Sequence, residues 1–357
     1  MDIFGYNIYV NIYKMNSLFS AQLKKVLNIK AKVDVHRPFD ESLNQAIQEK
    51  LKIEWTYNSN ALEGNTLTLG ETAFFLREGL TSEGKPLKDF LEAKNHAEAI
   101  HVLEDMVYEK KDITEHFIKS LHQILLDGIE YTHAKGRNGQ LIQKSLTPGK
   151  YKTHPNHVLT VSGNIHHYAE PEQVQIEMEK LLQWYKSGDA QSISAIERAG
   201  IFHYRFVSIH PFDDGNGRLA RLLMNLILMK DGFPPCIIRN ENRKQYLSEL
   251  EKVDNTKNFD LFILFVSHEL LETMNTIYGI LTGKESPIMS SPKLKSDQRK
   301  QLILNVFSES ALSIGDIHTK LSQIKRPTLK KDLQDLVKDG TLKTEGVGKG
   351  MVYYQNQ

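Results

Sequence analysis

The chain has 357 residues, 40% of them hydrophobic and 25% charged, an ordinary globular composition at a length that suggests two or three folded units. Its 45 Lys/Arg and 44 Asp/Glu nearly cancel, so global charge points to no partner. The lone cysteine, Cys236, excludes an intrachain disulfide and a cysteine-based zinc site.

No stretch approaches the roughly 18 apolar residues of a membrane span. The first residues also lack a basic run followed by an unbroken apolar one. The expectation is a soluble, cytoplasmic protein with no membrane association. Charge is uneven along the chain: from residue 291 onward, twelve Lys/Arg stand against seven Asp/Glu, a net of +5, and the remainder carries a net of −4. A basic C-terminal segment on a mildly acidic body suits an acidic partner.

In chain order, residues 41–58 place Leu43, Ile47, Leu51 and Trp55 four apart, which predicts a helix. Residues 71–78 and 88–108 continue the pattern. A further helix is expected over 114–126, with Thr114 as N-cap and Phe117, Ile118, Leu121, Ile124 and Leu125 facing a core. Residues 128–170 change texture to Gly, His, Pro, Thr and Asn. Within them the alternating run 157–161 reads as a hairpin or flap interrupting a helical protein. Helices are expected again at 172–186, 192–207, 217–230, 241–252 and 258–280. The third of these stops at Asp231-Gly232 before two prolines. The Pro/Ser-rich stretch 286–296 reads as a linker. Three short helices (297–307, 313–321, 328–338) and two strands (341–344, 351–354) around a glycine-rich turn make the pattern of a winged helix-turn-helix.

The chemistry concentrates in residues 209–221, between two apolar helices. Gly215-Asn216-Gly217 directly before a helix lets backbone N–H groups and the helix dipole face an anion. Arg218 and Arg221, three apart, share one helix face and can fork onto phosphate oxygens. Asp214 beside them would be repelled by phosphates unless a cation bridged the two, which suggests Mg²⁺. His210 could take a proton from an incoming hydroxyl. A zinc site from His203, His210 and Asp214 lacks tight ligand spacing and leaves both arginines unused.

His210-Pro-Phe-Asp-Asp-Gly-Asn-Gly-Arg218-Leu-Ala-Arg221 resembles the Fic motif, HxFx(D/E)GNGRxxR, at every specified position. The resemblance implies an all-α Fic core with a small β-hairpin flap over residues 90–285. Ahead of it lies an N-terminal helical region, 1–89, and a C-terminal winged helix-turn-helix follows over 297–357. It implies a protein adenylyltransferase that moves AMP from ATP to a hydroxyl of a target protein, and to itself. His210 would be the base, and Phe212 would bury beneath the loop. Asp214 would hold Mg²⁺. Gly215, Asn216 and Gly217 would form an anion hole, with Leu219 and Ala220 among the nucleotide contacts. Arg218 and Arg221 would grip the outer phosphates. Gly215 also favours nucleotidyl transfer, since a relative acting as a kinase has lysine there.

Three other segments resemble family features. Residues 149–153 through Val161, Ser162 and Gly163 resemble the flap that docks an extended target segment by strand addition and borders the nucleotide. Lys152 stands where many relatives have arginine. Tyr246 would contact the nucleotide, although on other grounds it reads equally as a packing tyrosine. Residues 59–64, Ser-Asn-Ala-Leu-Glu-Gly, resemble the family's inhibitory motif, (S/T)xxxE(G/N). By that likeness Glu63 pairs with Arg221 and blocks the productive pose of ATP. Without it, the same residues read as a helix end with a C-cap glycine.

Two rival functions remain open at this level. One is hydrolytic removal of AMP by the same residues. The other is regulation through the C-terminal domain, where Lys325, Arg326, Lys330, Lys331, Lys343 and Lys349 suit DNA phosphates, or a protein partner. Self-association is also left open.

Overall fold

The computed structural model describes residues 17–135, 141–159, 165–287, 296–307, 311–321, 324–346, 348 and 351–355. Apolar periodicity becomes helix nearly throughout. Helices α1 (Ser17–Asp34) and α2 (Glu41–Ala61) open the chain, the second capped by Asp40, whose carboxylate accepts from Ser42 N–H and Leu43 N–H. On α2 the expected stripe is realised: Ile47, Leu51 and Trp55 are buried and Leu43 packs against them. The helix ends in a left-handed glycine, Gly64 (φ 94°), with Asn65 N–H reaching back to Asn60 O.

After α3 (Leu69–Glu78) come α4 (Leu87–Tyr108) and α5 (Glu115–Leu125), the last capped by the Thr114 hydroxyl on Phe117 N–H as expected. Two antiparallel pairs follow: β1 (Tyr131–Lys135) with β2 (Leu141–Ser145), and β3 (Val158–Leu159) with β4 (Ile165–His166). Next are α6 (Pro171–Lys186), the short α7 (Gly188–Ser192) and α8 (Ala195–Ile209). The helix expected from residue 192 starts later because Ser194 and Glu197 form a reciprocal capping box. Helix α9 (Asn216–Lys230) packs against α8 and has twelve of its 15 residues buried, so it is the central helix of the core. Helices α10 (Arg243–Thr256) and α11 (Asp260–Leu281) complete the region.

The chain divides into two compact units, Met1–Leu69 with Leu87–Ile288, and Gly70–Pro86 with Met289–Gln357. This differs from the expected boundary at residue 89. Helices α2 and α4 pack on each other and share one core, while the segment between them joins the C-terminal unit. That second unit holds most of α3 with α12 (Ser296–Val306), β5 (Leu312–Ser313), α13 (Ile314–Lys320), α14 (Arg326–Lys338), β6 (Leu342–Glu345) and β7 (Val352–Gln355). Its core gathers Phe74, Ile303, Ile317, Leu329 and Leu333. Its sheet is three-stranded, β5-β7-β6, one short strand more than the expected pair.

Candidate active site

The loop between α8 and α9 is shaped by two left-handed residues, His210 (φ 50°) closing α8 and Gly215 (φ 77°) opening α9. Glycine takes the second conformation without strain. Asn216 staples the loop: its side-chain amide donates to Phe212 O at 2.7 Å, and its oxygen accepts from Phe212 N–H at 2.9 Å. Both ends of the amide are therefore tied to the backbone of the loop.

Phe212 is fully buried and stacks on His122, with ring centroids 3.8 Å apart. His122 Nδ1 accepts from Gly149 N–H at 2.8 Å, so its proton sits on Nε2 and donates to Asp214 O at 3.0 Å. One imidazole thus joins α5, the turn before β3 and the motif loop. Burial pushes its pKa down to about 4. From the other side, Lys152 N–H donates to Pro211 O and Asn156 Nδ2 to Phe212 O, each at 2.8 Å. Lys144 pairs with Asp213 at 2.6 Å. Burial lowers the Lys152 pKa to about 8. The His210 ring stacks on Tyr168 at 3.9 Å.

At the start of α9, Arg218 is 2% exposed, with Nη1 3.0 Å from Glu92 Oε1 and Nη2 3.5 Å from Asp214 Oδ1. Burial would raise the Asp214 pKa. The Arg218 charge, the Thr132 hydroxyl and Gly215 N–H outweigh that and hold it below the usual carboxylate value. Asp214 is therefore an ionised carboxylate at the mouth of an N-terminal anion site. Such a lone carboxylate suits Mg²⁺ shared with substrate phosphates. Among the described residues no group of three or more His, Cys, Asp or Glu forms a metal cage.

Arg221 is held on three sides. Its Nε donates to Ser59 Oγ at 3.1 Å, and its Nη2 donates to Ser59 O at 2.7 Å and to Glu63 Oε1 at 2.8 Å. The Glu63 carboxylate also lies against Gly217, where an added Cβ would overlap its Oε1. A carboxylate of the chain itself thus sits at the N-terminus of α9, where backbone and dipole favour an anion. The turn bearing Glu63 is fixed from two directions. Asn65 Nδ2 donates to Glu92 Oε2 and Asp89 O, each at 2.9 Å, and Arg243 Nε donates to Leu62 O at 2.9 Å.

Other expected site residues sit differently. Leu219 and Ala220 are fully buried, and Leu219 N–H bonds Gly215 O at 2.9 Å, so the core and the helix use what they offer. Tyr246 is 4% exposed, with its hydroxyl 3.0 Å from His203 Nε2 and beside the Arg221 guanidinium. Val161, Ser162 and Gly163 lie outside the described residues. Glu92, His122 and Asn65 carry no local signal in the sequence, each being one polar residue in or beside a helix.

A profile of the Fic/DOC family matches residues 112–228, a span containing the whole loop. A Fic domain-containing signaling protein of Bacteroides thetaiotaomicron is 32% identical with a TM-score of 0.66, covering 74% of this chain and 99% of that one. The chain belongs to the Fic/DOC family. Protein adenylyltransferase fic-1 of Caenorhabditis briggsae is 30% identical over 300 residues, which are 80% of this chain and 55% of that protein. Protein adenylyltransferase Fic of Nematostella vectensis is 34% identical over 226 residues, 63% of this chain and 48% of that protein. The Fic chain described here therefore spans about half the length of the curated relatives it matches. No helix among its described residues is long and apolar enough to cross a membrane.

Proposed function

We propose that the chain is a protein adenylyltransferase that moves AMP from ATP to a side-chain hydroxyl of a target protein, held in check by Glu63. The observation that carries this reading is the Glu63 carboxylate at the N-terminus of α9, paired with Arg221 at 2.8 Å. An anion site filled by the chain's own acid is a site built for a stronger anion. The names of the adenylyltransferase relatives support the reading.

In this reading Arg218, Arg221 and the first N–H groups of α9 grip the outer phosphates of ATP. His210 accepts the proton of the incoming hydroxyl. The hydroxyl oxygen bonds the α-phosphorus as the bond to pyrophosphate breaks, and pyrophosphate departs into the arginine cradle. Mg²⁺ held by Asp214 would neutralise charge on the phosphates. The target lies extended beside β3 and β4, adding a strand to the flap.

The test is intact-mass spectrometry after incubation with ATP and Mg²⁺. Glu63→Gly should gain one AMP mass, and Glu63→Gly combined with His210→Ala should gain none. No added mass on Glu63→Gly or on any presented protein would overturn the assignment.

For the C-terminal unit the reading is a winged helix, with α13 and α14 as the helix-turn-helix and β6–β7 as the wing. Exposed Lys325, Arg326, Lys330 and Lys331 on the first turns of α14 support a DNA-phosphate contact. Lys343 is exposed on β6, and Lys349 lies outside the described residues.

A further inference from the structure

His210 sits in a left-handed backbone (φ 50°) where α8 ends, with its N–H donating to Phe206 O at 3.0 Å. A non-glycine residue keeps such a conformation only where its surroundings over-determine it. The hydrogen bonds that shape the loop pass through Pro211, Phe212, Asp214 and Asn216. They fix the main chain; the plane of the imidazole depends on what lies against it.

One wall is Tyr168. Its ring centroid is 3.9 Å from that of His210 and the two planes differ by 18°, a parallel stack. Tyr168 is itself held from both ends. Upstream, one residue away, β4 pairs with β3 through Ile165 and His166. Downstream, Ala169 is buried, Glu170 N–H donates to Gln173 Oε1 at 3.3 Å and Pro171 opens α6. Lys152, whose N–H holds Pro211 O, brings its ammonium 5.8 Å from the centre of the same ring and 3.5 Å from Ile209 O. Burial, then the Asp254 and Glu63 carboxylates, push the Tyr168 phenol pKa up, so the ring stays neutral and does not compete for a proton.

We infer that Tyr168 is a positioning residue for adenylyl transfer, holding the His210 imidazole in the plane from which it accepts the hydroxyl proton. The inference rests on the adenylyltransferase reading. A general base acts only within hydrogen-bond reach of the proton it takes, and a misplacement of about 1 Å can cost about 10²-fold in rate. The working part of Tyr168 is its ring, since its contact with His210 is face to face. Because Tyr168 follows β4 so closely, the segment beside which the target would lie also sets the base.

The test uses the full chain carrying Glu63→Gly, with AMP uptake followed by intact mass. Tyr168→Leu should lower the maximal rate about 10- to 100-fold and leave the ATP concentration for half-maximal rate unchanged. Tyr168→Phe keeps the stack and should restore most of the rate. Proton NMR of the histidine-labelled chain reads the contact directly, His210 being the resonance lost in His210→Ala. Its ring proton should be shifted upfield by the stacked ring in the parent chain and in Tyr168→Phe, and released in Tyr168→Leu. A parent-like rate in Tyr168→Leu overturns the inference, as does Tyr168→Phe as slow as Tyr168→Leu. An unshifted His210 proton in the parent chain also overturns it, with no variant at position 168 needing to fold. No AMP uptake by Glu63→Gly alone, with the upfield shift present, would overturn the transfer reading and the role with it, while the contact stands.

Discussion

Glu92 and Arg218 form a buried ion pair in which Nη1 lies 3.0 Å from Oε1, with only 8% and 2% of the two side chains exposed. The other oxygen of the same carboxylate accepts from Asn65 at 2.9 Å, so one acid braces both the arginine cradle and the turn that carries Glu63. Glu92→Ala leaves a buried guanidinium with Asp214 as its remaining carboxylate, and breaking such a pair costs about 3–5 kcal/mol. Urea denaturation should show a loss of that order. Glu92→Gln keeps the shape but offers one acceptor to two donors, Asn65 and Arg218. It should also destabilise, by less than Glu92→Ala because no cavity is left. Equal stability of Glu92→Ala and the parent chain would show that Arg218 needs no counter-ion.

Removing Glu63 should free one face of Arg221 while the two Ser59 contacts keep the arginine in place. Self-labelling by Glu63→Gly should therefore rise about tenfold or more, the equivalent of roughly 1.4 kcal/mol of barrier. Ser59→Ala removes only the hydroxyl contact and should give a smaller rise. A pre-modified target separates the rival reading: if Glu63 orients a hydrolytic water, Glu63→Gly also stops AMP release. Rates unchanged in both directions would reduce the pair to a structural contact.

His210 tests the chemistry without disturbing the cradle. Loss of a general base slows a reaction by about 10²–10⁴. His210→Gly removes the imidazole and also suits the left-handed backbone at φ 50°. Calorimetry should find ATP binding retained in a variant whose transfer is abolished. Transfer at the parent rate would remove His210 from the mechanism.

Acid should loosen the loop through His122. Its pKa is about 4 in the folded chain, against an ordinary value of 6.5, so the folded state binds the proton less readily than the unfolded one. The stabilisation is complete above about pH 6.5 and is lost as pH falls toward 4, with a total near 3 kcal/mol. His203, pushed to about 3 by burial, contributes in the same direction. His122→Phe retains a ring against Phe212 but leaves Gly149 N–H without its acceptor. The variant should be less stable at pH 7.5, with a shallower fall between pH 6.5 and 4.

The winged-helix reading predicts that the full chain retards duplex DNA at low salt and releases it steeply as salt rises. Lys330→Glu with Lys331→Glu, both exposed, should abolish the shift without changing self-labelling. DNA left unretarded at low salt would turn the basic face toward a protein partner.

Contiguous features were legible from the sequence. The motif loop, the Thr114 cap, the α2 stripe and the stop at Asp231-Gly232 each depend on residues within a few positions, where periodicity and capping chemistry act. The late start of α8 was missed although its capping box is local, because the apolar pattern runs across it. The two-residue strand β5 was missed because so short a segment has no alternation to read. His122 and Asp214 are 92 residues apart, and Arg221 and Glu63 are 158 apart. Glu92 and Asn65 are likewise brought together only when α4 packs beside the end of α2. The Glu63–Arg221 pairing was expected only through a family likeness, since locally Glu63 is a helix-end acid. A polar residue in a helix becomes a brace, a cap or a solvated side chain according to what packing sets opposite it. Chain order determined the elements and the motif loop; only the tertiary fold decided which distant side chains hold that loop and which carboxylate pairs with Arg221.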